Sequence, residues 1–447
     1  MTPQGRASPA RVCALRTLRR VADDDAYADR AFRAEADRAG LDARERAFAQ
    51  RLAYGAIQRR ATIDHVLSGI SARPLAEIDP PLLDALRLGV YQLVWLGSVP
   101  DRAAVDETVE LAKLAAPSAA GFANAVMRRA GREARGLVAS LDDSTPERAA
   151  LAHSHPEWLA RAWWEELGPA DARALMAADN EAAESAVRAN ELRTTAGELR
   201  AALAEQEVTA RTAPELPEAL VLDAPFDAHG SELFARGLLM PQSRGSMLVS
   251  RVLAPRPGER VLDMCAAPGA KTTHLAALMK NEGELVAVER DPGRARELRE
   301  NCERMGATCV EVRQADATAA PPGRPFERIL LDAPCSDLGT LRSRPDARWR
   351  KSPEQVERVA REQAALLDAA AAGLAPGGTL VYSTCTISPP ENARQVERLL
   401  AAEPSLRADD LGAEHPEFHG AGDPRFLQLL PHRDGTDGFF IARIRRV

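Results

Sequence analysis

Lysine is almost missing from this chain: Lys113, Lys271, Lys280 and Lys351 are the only four in 447 residues, so nearly all positive charge is arginine. A compositional bias of the source genome explains this more simply than selection of guanidinium forks for phosphate. Long apolar runs are also missing. No stretch approaches the ~20 residues that a membrane span requires, and Met1-Thr-Pro-Gln-Gly-Arg-Ala-Ser-Pro lacks the apolar centre of a signal peptide. A cytosolic protein without membrane contact is expected. The six cysteines, Cys13, Cys265, Cys302, Cys309, Cys335 and Cys385, show no Cys-x-x-Cys and no Cys/His ligand spacing. That excludes a disulfide framework or a zinc site as the organising principle, and free thiols with no metal are expected. A net charge of −7 argues against a generally basic coat for nucleic acid, although net charge says nothing about a local patch.

What is present is a globular composition, 45% hydrophobic and 28% charged, in a chain long enough for about three domains at ~150 residues each. Residues 8 to 138 read as helices, with Val12, Leu15, Leu18 and Val21 at spacing three and Leu82, Leu83, Leu86, Val90, Leu93 and Val94 at three and four. Arg128, Arg129, Arg132 and Arg135 near the end of this bundle read as a solvated face in preference to an RNA contact. A second segment opens near Asp142, and Pro156 suits a helix start before Trp158, Trp163 and Trp164. From Ser185 the pattern shifts to short β-like runs (185–190, 208–212, 219–222) around one helix, Thr195–Glu205, a small α+β unit. It shows no aromatic pair of the kind on which small sheets stack single-stranded RNA.

From about residue 247 onward strand-like and helix-like segments alternate. Arg260–Met264, Leu285–Glu289, Cys309–Arg313, Ile329–Asp332 and Thr379–Ser383 read as strands, and Phe426–Leu430 with Gly438–Ile444 as a closing antiparallel hairpin. Such alternation marks a doubly wound α/β sheet, whose chemistry sits at the carboxyl ends of its strands. The resulting division is 1–140 helical, 141–235 small α+β and 236–447 α/β.

Two features at those strand ends carry chemistry. Asp263-Met-Cys-Ala-Ala-Pro-Gly-Ala-Lys-Thr follows the first strand and opens a helix, so Cys265, Ala266, Ala267, Pro268, Gly269, Ala270 and Lys271 form a small-residue cradle for a ligand. It lacks the Gly-x-x-x-x-Gly-Lys spacing of a phosphate loop. Glu289, at the end of the next strand, is placed to accept from ribose hydroxyls, and Asp316, after the third, to meet an adenine amino group. A strand with such a loop is shared by NAD enzymes and methyltransferases; the Pro268-Gly269 bend and the thiols favour S-adenosylmethionine. The second feature is a pair of thiols, Cys335 in Asp332-Ala-Pro-Cys-Ser and Cys385 in Ser383-Thr-Cys-Thr, at two strand ends. Thiols opening into a cofactor crevice suggest covalent attack on an electron-poor ring.

These motifs, with Pro390-Glu-Asn and Asp437-Gly-Phe-Phe, resemble in order and spacing the RNA cytosine-5 methyltransferases of the NOL1/NOP2/Sun family. Tyr54-Gly-Ala-Ile, Leu88-Gly-Val-Tyr-Gln-Leu and Asn124-Ala-Val-Met-Arg-Arg make the bundle similar to NusB-like RNA-binding domains. The combination is similar to bacterial 16S rRNA methyltransferases of the RsmB/Sun type. The resemblance implies a Rossmann-like S-adenosylmethionine domain acting as a monomer on 16S rRNA before the subunit is mature. It implies Cys385 as nucleophile and Cys335 as the residue that helps product leave. Asp332 would hold N3 of the base and contribute to the cofactor site, the Pro334 carbonyl would accept from the exocyclic amine, and Lys271 would contact substrate or Asp332. Two positions depart from the family pattern: Ala270 replaces a common glycine, and Gln242-Ser243 stands where Gln-Asp is usual. Alternative readings are methylation of tRNA or 23S rRNA, or a non-catalytic RNA-binding assembly factor.

Overall fold

The computed structural model describes residues 7–224, 226–319, 324–418 and 422–447; residues 1–6, part of the N-terminal stretch read for a leader, lie outside them. The chain forms two compact units, one of Met1–Ala182 with Leu341–Arg350, the other of Ala183–Thr340 with Lys351–Val447. The helices Pro146–His153 and Glu157–Ala178 thus fall in the first unit, and the small sheet that follows them falls in the second.

The first unit is helical, from Pro9–Asp23 and Ala28–Ala39 through Ala43–Gln58, Arg60–Ile70, Pro80–Trp95, Asp101–Ala115 and Ala120–Ala139 to the two helices just named. Its core is the apolar stripe expected from periodicity, with Leu82, Leu86, Val90 and Leu93 buried against Ile63, Leu67, Leu111 and Met127. Gly89 lets two neighbours close in: a Cβ there would collide with Thr108 Oγ1 and Met127. Arg129 and Arg135 form exposed ion pairs with Glu133 and Asp101, as a solvated face should.

Leu341–Arg350 corrects one expectation. The sequence weighs Arg342, Arg344, Arg348 and Arg350 around Trp349 equally as RNA contact or solvated surface, yet Arg348 is fully buried in the first unit. Its guanidinium donates to the carbonyl of Asp179 (2.8 Å), the carbonyl of Ser154 (3.2 Å) and Asn180 Oδ1 (2.9 Å), while Trp349 Nε1 donates to the Ile57 carbonyl at 2.8 Å. Ser154, Asp179 and Ile57 stand at the C-terminal ends of three helices, where carbonyls lack intrahelical partners and the helix dipole is negative. Arg348 and Trp349 together therefore gather three helix ends. Arg350 pairs with Asp346 at 2.8 Å and Asp25 at 2.6 Å.

The second unit contains two sheets. The smaller has strands β1 (Ala186–Ala189), β2 (Ala210–Ala213), β3 (Leu216–Leu222) and β4 (Leu239–Pro241), all antiparallel in the order β2-β3-β1-β4. The larger has β5 (Arg260–Asp263), β6 (Glu284–Glu289), β7 (Val310–Gln314), β8 (Phe326–Asp332), β9 (Leu374–Thr384), β10 (Leu406–Ala408), β11 (Phe426–Gln428) and β12 (Phe440–Arg446). Its order is β10-β12-β9-β8-β5-β6-β7, with β11 also on β12. Strands β5 to β9 are parallel, and β12 lies antiparallel on β9. The chain winds outward from β5 to β7 and then returns to the other side of β5 as β8. That reversal opens a crevice at the carboxyl ends of β5 and β8.

Side chains alternate between two covered faces: Val261, Leu330 and Val381 enter one apolar cluster, Leu262, Ile329, Leu331 and Leu380 the other. Burial on both faces is why these strands read as continuous apolar runs. The smaller sheet is keyed to the helix Ala270–Leu278 by buried polar groups. Arg188 on β1 donates to Gln242 Oε1 (2.9 Å), Thr273 Oγ1 (2.8 Å) and the Ala270 carbonyl (3.1 Å). Glu218 on β3 lies 2.9 Å from His274 Nε2.

Candidate active site

Asp263 ends β5, and the loop after it turns into the helix Ala270–Leu278 at Gly269, whose φ of 103° belongs to the left-handed side that favours glycine. A Cβ there would also lie 2.8 Å from Leu298 Cδ1. Ala270 is the first helical residue, so replacing a glycine at this position brings no backbone strain. Asp263 Oδ2 accepts from Thr272 Oγ1 at 2.7 Å, while its other oxygen is buried with no hydrogen-bond partner among the described residues. Burial pushes this carboxyl up to about 7. Burial likewise pushes the Cys265 thiol well up, with the neighbouring Asp263 and Asp332 carboxylates adding to it.

Glu289 ends β6 and is buried; Oε1 accepts from the Asp291 backbone N–H at 2.9 Å. Arg294 reaches to 3.7 Å of its other oxygen and donates to the Ala267 carbonyl at 2.7 Å, tying the β6 end to the cradle. Asp316 follows β7 and is exposed; its Oδ1 takes the backbone N–H (2.9 Å) and hydroxyl (2.7 Å) of Thr318, which hold it below the usual carboxylate range. Of the second family departure, Gln242 is engaged by Arg188, and Ser243 precedes the helix Arg244–Leu253 without a side-chain cap.

This donor set fits a nucleoside-bearing cofactor. A glycine that tolerates no Cβ shapes the cradle, and an acidic acceptor ends the next strand, where ribose hydroxyls need one. Glu289 would hold the ribose and the backbone of 265–270 the remainder.

The second half of the site joins β8 to β9, which pair in parallel with Asp332 opposite Ser383. Asp332 accepts from Lys271 Nζ at 2.8 Å and from Ser383 Oγ at 2.7 Å, so one carboxylate links the cradle helix to both strand ends. The Lys271 ammonium also lies 5.1 Å from the centre of the Phe439 ring. Just beyond, Cys335 Sγ and Cys385 Sγ are 3.2 Å apart, and both residues are half-buried. The structure thus brings Cys335, Cys385, Asp332 and Lys271 to the ends of two adjacent strands.

The remaining motif residues brace the two cysteine loops. Glu391 of Pro390-Glu-Asn accepts from the Ser336 backbone N–H at 2.8 Å and from the Ser336 hydroxyl, while Asn392 Nδ2 donates to the Thr386 carbonyl at 3.0 Å. Burial raises the Glu391 carboxyl, and the Ser336 hydrogen bonds oppose that rise. Behind the thiols, the Gly339 N–H donates to the Cys385 carbonyl (3.0 Å) and the Gly438 N–H to the Gly339 carbonyl (2.7 Å). A Cβ on Gly339 would run into Gly438, so the Asp437-Gly-Phe-Phe turn fits only against a glycine. The Pro334 carbonyl already accepts from Gln363 Nε2 at 2.8 Å, so any bond to an exocyclic amine would be its second. Three neighbours were not foreseen. Ser383 lies inside a quoted motif and Gln363 in an amphipathic helix. Asp337, two residues after Cys335, carries no motif signal; its Oδ1 lies 3.3 Å from Cys385 Sγ.

A parallel sheet with this cradle and an acidic residue on the following strand defines a Rossmann-like domain for a nucleoside-bearing cofactor, and the half-buried thiols beside it favour the S-adenosylmethionine-dependent methyltransferases. Comparison with known proteins narrows the class. Residues 250–445 match the family described as 16S rRNA methyltransferase RsmB/F, residues 8–132 the NusB family and residues 155–229 the ferredoxin-like domain of RsmF/B-like methyltransferases. The chain is 35% identical to the probable ribosomal RNA small subunit methyltransferase B of Synechocystis, over 98% of this chain and 99% of that one. It is 33% identical to ribosomal RNA small subunit methyltransferase B of Pseudomonas putida, over 98% of each. Among solved structures, PH0851 superposes with a TM-score of 0.83 at 26% identity over 98% of this chain and 99% of its own. NSun6 from Pyrococcus horikoshii with SFG gives 0.60 at 26% identity, over 65% of this chain and 98% of its own. The chain belongs to the RsmB/F family of 16S rRNA methyltransferases, and S-adenosylmethionine is its cofactor. No helix among the described residues is long and apolar enough to cross a membrane.

Proposed function

We propose that the protein methylates carbon 5 of a cytosine in 16S rRNA, in the cytoplasm and before the subunit is mature, through a covalent bond between Cys385 and the base. The observation that supports this reading is the pair of half-buried thiols 3.2 Å apart beside the Lys271–Asp332 pair. Carbon 5 of cytosine is too weak a nucleophile to take a methyl group unaided. Bonding of Cys385 Sγ to carbon 6 pushes the ring electrons to carbon 5, which can then form the new bond. Bound S-adenosylmethionine supplies a methyl group on a positively charged sulfur. Cys335 then removes the carbon 5 proton, the carbon 6–sulfur bond breaks, and the aromatic ring is restored. Asp332, held by Lys271 and Ser383, faces N3 of the base and stabilises a proton that N3 takes from solvent during attack and returns when the thiol leaves, which draws electrons from carbon 6.

Orientation is the larger share of the catalysis. A free thiol is already about a tenth ionised near pH 7.5, so thiolate formation offers about tenfold, whereas holding base and thiol in line contributes ~7–11 kcal/mol. The base must leave its stack, at a few kcal/mol in a duplex and less in a loop, so the expected target is a loop or bulge. In this reading residues 1–140 and 141–235 grip RNA and 236–447 carry the chemistry. Bisulfite sequencing of rRNA and tRNA from a strain lacking the gene tests it: one 16S cytosine loses protection, and the wild-type gene restores it while a Cys385→Ala gene does not. A methylcytosine map unchanged by the deletion overturns the reading, and a loss confined to tRNA or 23S rRNA overturns its substrate.

A further inference from the structure

Asp337 stands where it can decide which thiol reacts. Its carboxylate oxygen Oδ1 is 3.3 Å from Cys385 Sγ and 4.0 Å from Cys335 Sγ, and its Oδ2 is 3.4 Å from Lys351 Nζ. Its backbone is left-handed, with φ of 61°, a conformation that disfavours side chains and that aspartate tolerates better than most. Strain of this kind gathers at functional sites, where surrounding contacts hold it in place.

Counting protons gives the contacts a direction. A thiol has one proton to donate, an ionised carboxylate only accepts, and an ammonium only donates. The arrangement that uses the shorter contacts has Cys335 S–H donating to Cys385 Sγ, Cys385 S–H donating to Asp337 Oδ1, and Lys351 donating to Oδ2. We propose that Asp337 is a catalytic base, taking the proton of the Cys385 thiol as its sulfur attacks carbon 6 of the cytosine. The inference rests on the cytosine-5 reading and adds to it the group that activates the nucleophile.

The steps balance. The Cys385 S–H bond breaks as its Sγ–carbon 6 bond forms, and the proton passes to Asp337. Cys335 gives its proton to solvent, and after methyl transfer the resulting thiolate takes the carbon 5 proton. The carbon 6–Sγ bond then breaks, and the departing Cys385 sulfur recovers its proton from Asp337. The net reaction releases one proton, from Cys335. The titratable and charged groups facing Asp337 include the two thiols and Lys351; the Lys271–Asp332 pair stands on the neighbouring strand ends, and Glu391 lies beneath Ser336.

The test is the rate at which a covalent RNA adduct forms on a Cys335→Ala background, using an unmethylated 16S rRNA transcript and S-adenosylmethionine across pH. Asp337→Asn removes the base, and Asp337→Gly removes it while suiting the left-handed backbone. With Asp337 present, the rate should change little between about pH 6.5 and 8.5, because the thiol proton passes to a group inside the site and not to base in solution. Both variants should be slower near neutrality by about 10- to 30-fold, the most that ionising the thiol can supply there. Their rates should climb about tenfold per pH unit as the thiol ionises unaided. A parent-like profile in both variants overturns the proposal, and so does a loss that is equal at every pH, which marks a structural role. If the Cys335→Ala parent forms no adduct at any pH, the cytosine-5 reading falls and the role of Asp337 falls with it.

Discussion

The end of β5 and the ends of β8 and β9 each set a cysteine close to an aspartate on the same sheet, and the groups around them make the two places chemically different. At β5, Asp263 is buried and Cys265 half-buried beside it: both groups are pushed toward their neutral forms, and one Asp263 oxygen has no hydrogen-bond partner among the described residues. At β8 and β9, Cys335 and Cys385 are half-buried, touch each other, and share a carboxylate that Lys351 holds from its far side. Residue type is thus a poor guide to reactivity. The first pair suits a quiet wall beside a cofactor, the second a site where protons and sulfur move.

The strongest way to break this comparison is to remove the thiols one at a time. Cys385→Ala should abolish methyl transfer, whereas Cys335→Ala should accumulate a covalent RNA–protein adduct visible on a denaturing gel; equal, adduct-free losses would make the two thiols interchangeable. Next in size is alkylation. Iodoacetamide should modify Cys335 and Cys385 at least ~10²-fold faster than Cys265, since thiolate character and access govern the rate, with peptide mass spectrometry as the readout. Comparable labelling of Cys265 would show that the β5 end is open.

The smallest effect concerns Asp263. Its carboxyl titrates at about 7 in the folded chain against an ordinary 3.8, so between those values the unfolded chain ionises while the folded one stays neutral. The unfolded state then binds fewer protons, and stability falls as pH rises through that window and levels off above it. Asp263→Asn removes this cost. Its stability relative to wild type, from urea unfolding, should grow by on the order of 2–4 kcal/mol between about pH 5 and 7.5. A difference that does not vary with pH would mean the carboxyl is ionised and solvated in the fold.

The large sheet was legible because its strands are apolar on both faces, so β5, β6, β8 and β9 stand out as runs of Val, Leu and Ile. The three-residue strands β4 and β10 were not; three residues show no period and pair only because longer strands present an edge. The cradle and both cysteines were legible because they follow strands in a fixed order. Asp337 was not, since its importance depends on a backbone turn that aims its carboxylate at a sulfur 48 positions away. Arg348 was misread for a related reason: an arginine beside a tryptophan looks like surface until the helix ends at Gln58, Ser154 and Asp179 supply the carbonyls that let it be buried.

The sequence by itself determined the alternation of strands and helices, the cradle after β5 and the two thiols at strand ends, because periodicity and loop chemistry are local. Only the tertiary structure decided that the thiols meet at 3.2 Å, that Asp332 ties Lys271 to Ser383, and that Asp263 is shut away from water. Reactivity depends on distance, burial and the partner for each proton, and those arise where segments far apart in the chain are packed side by side.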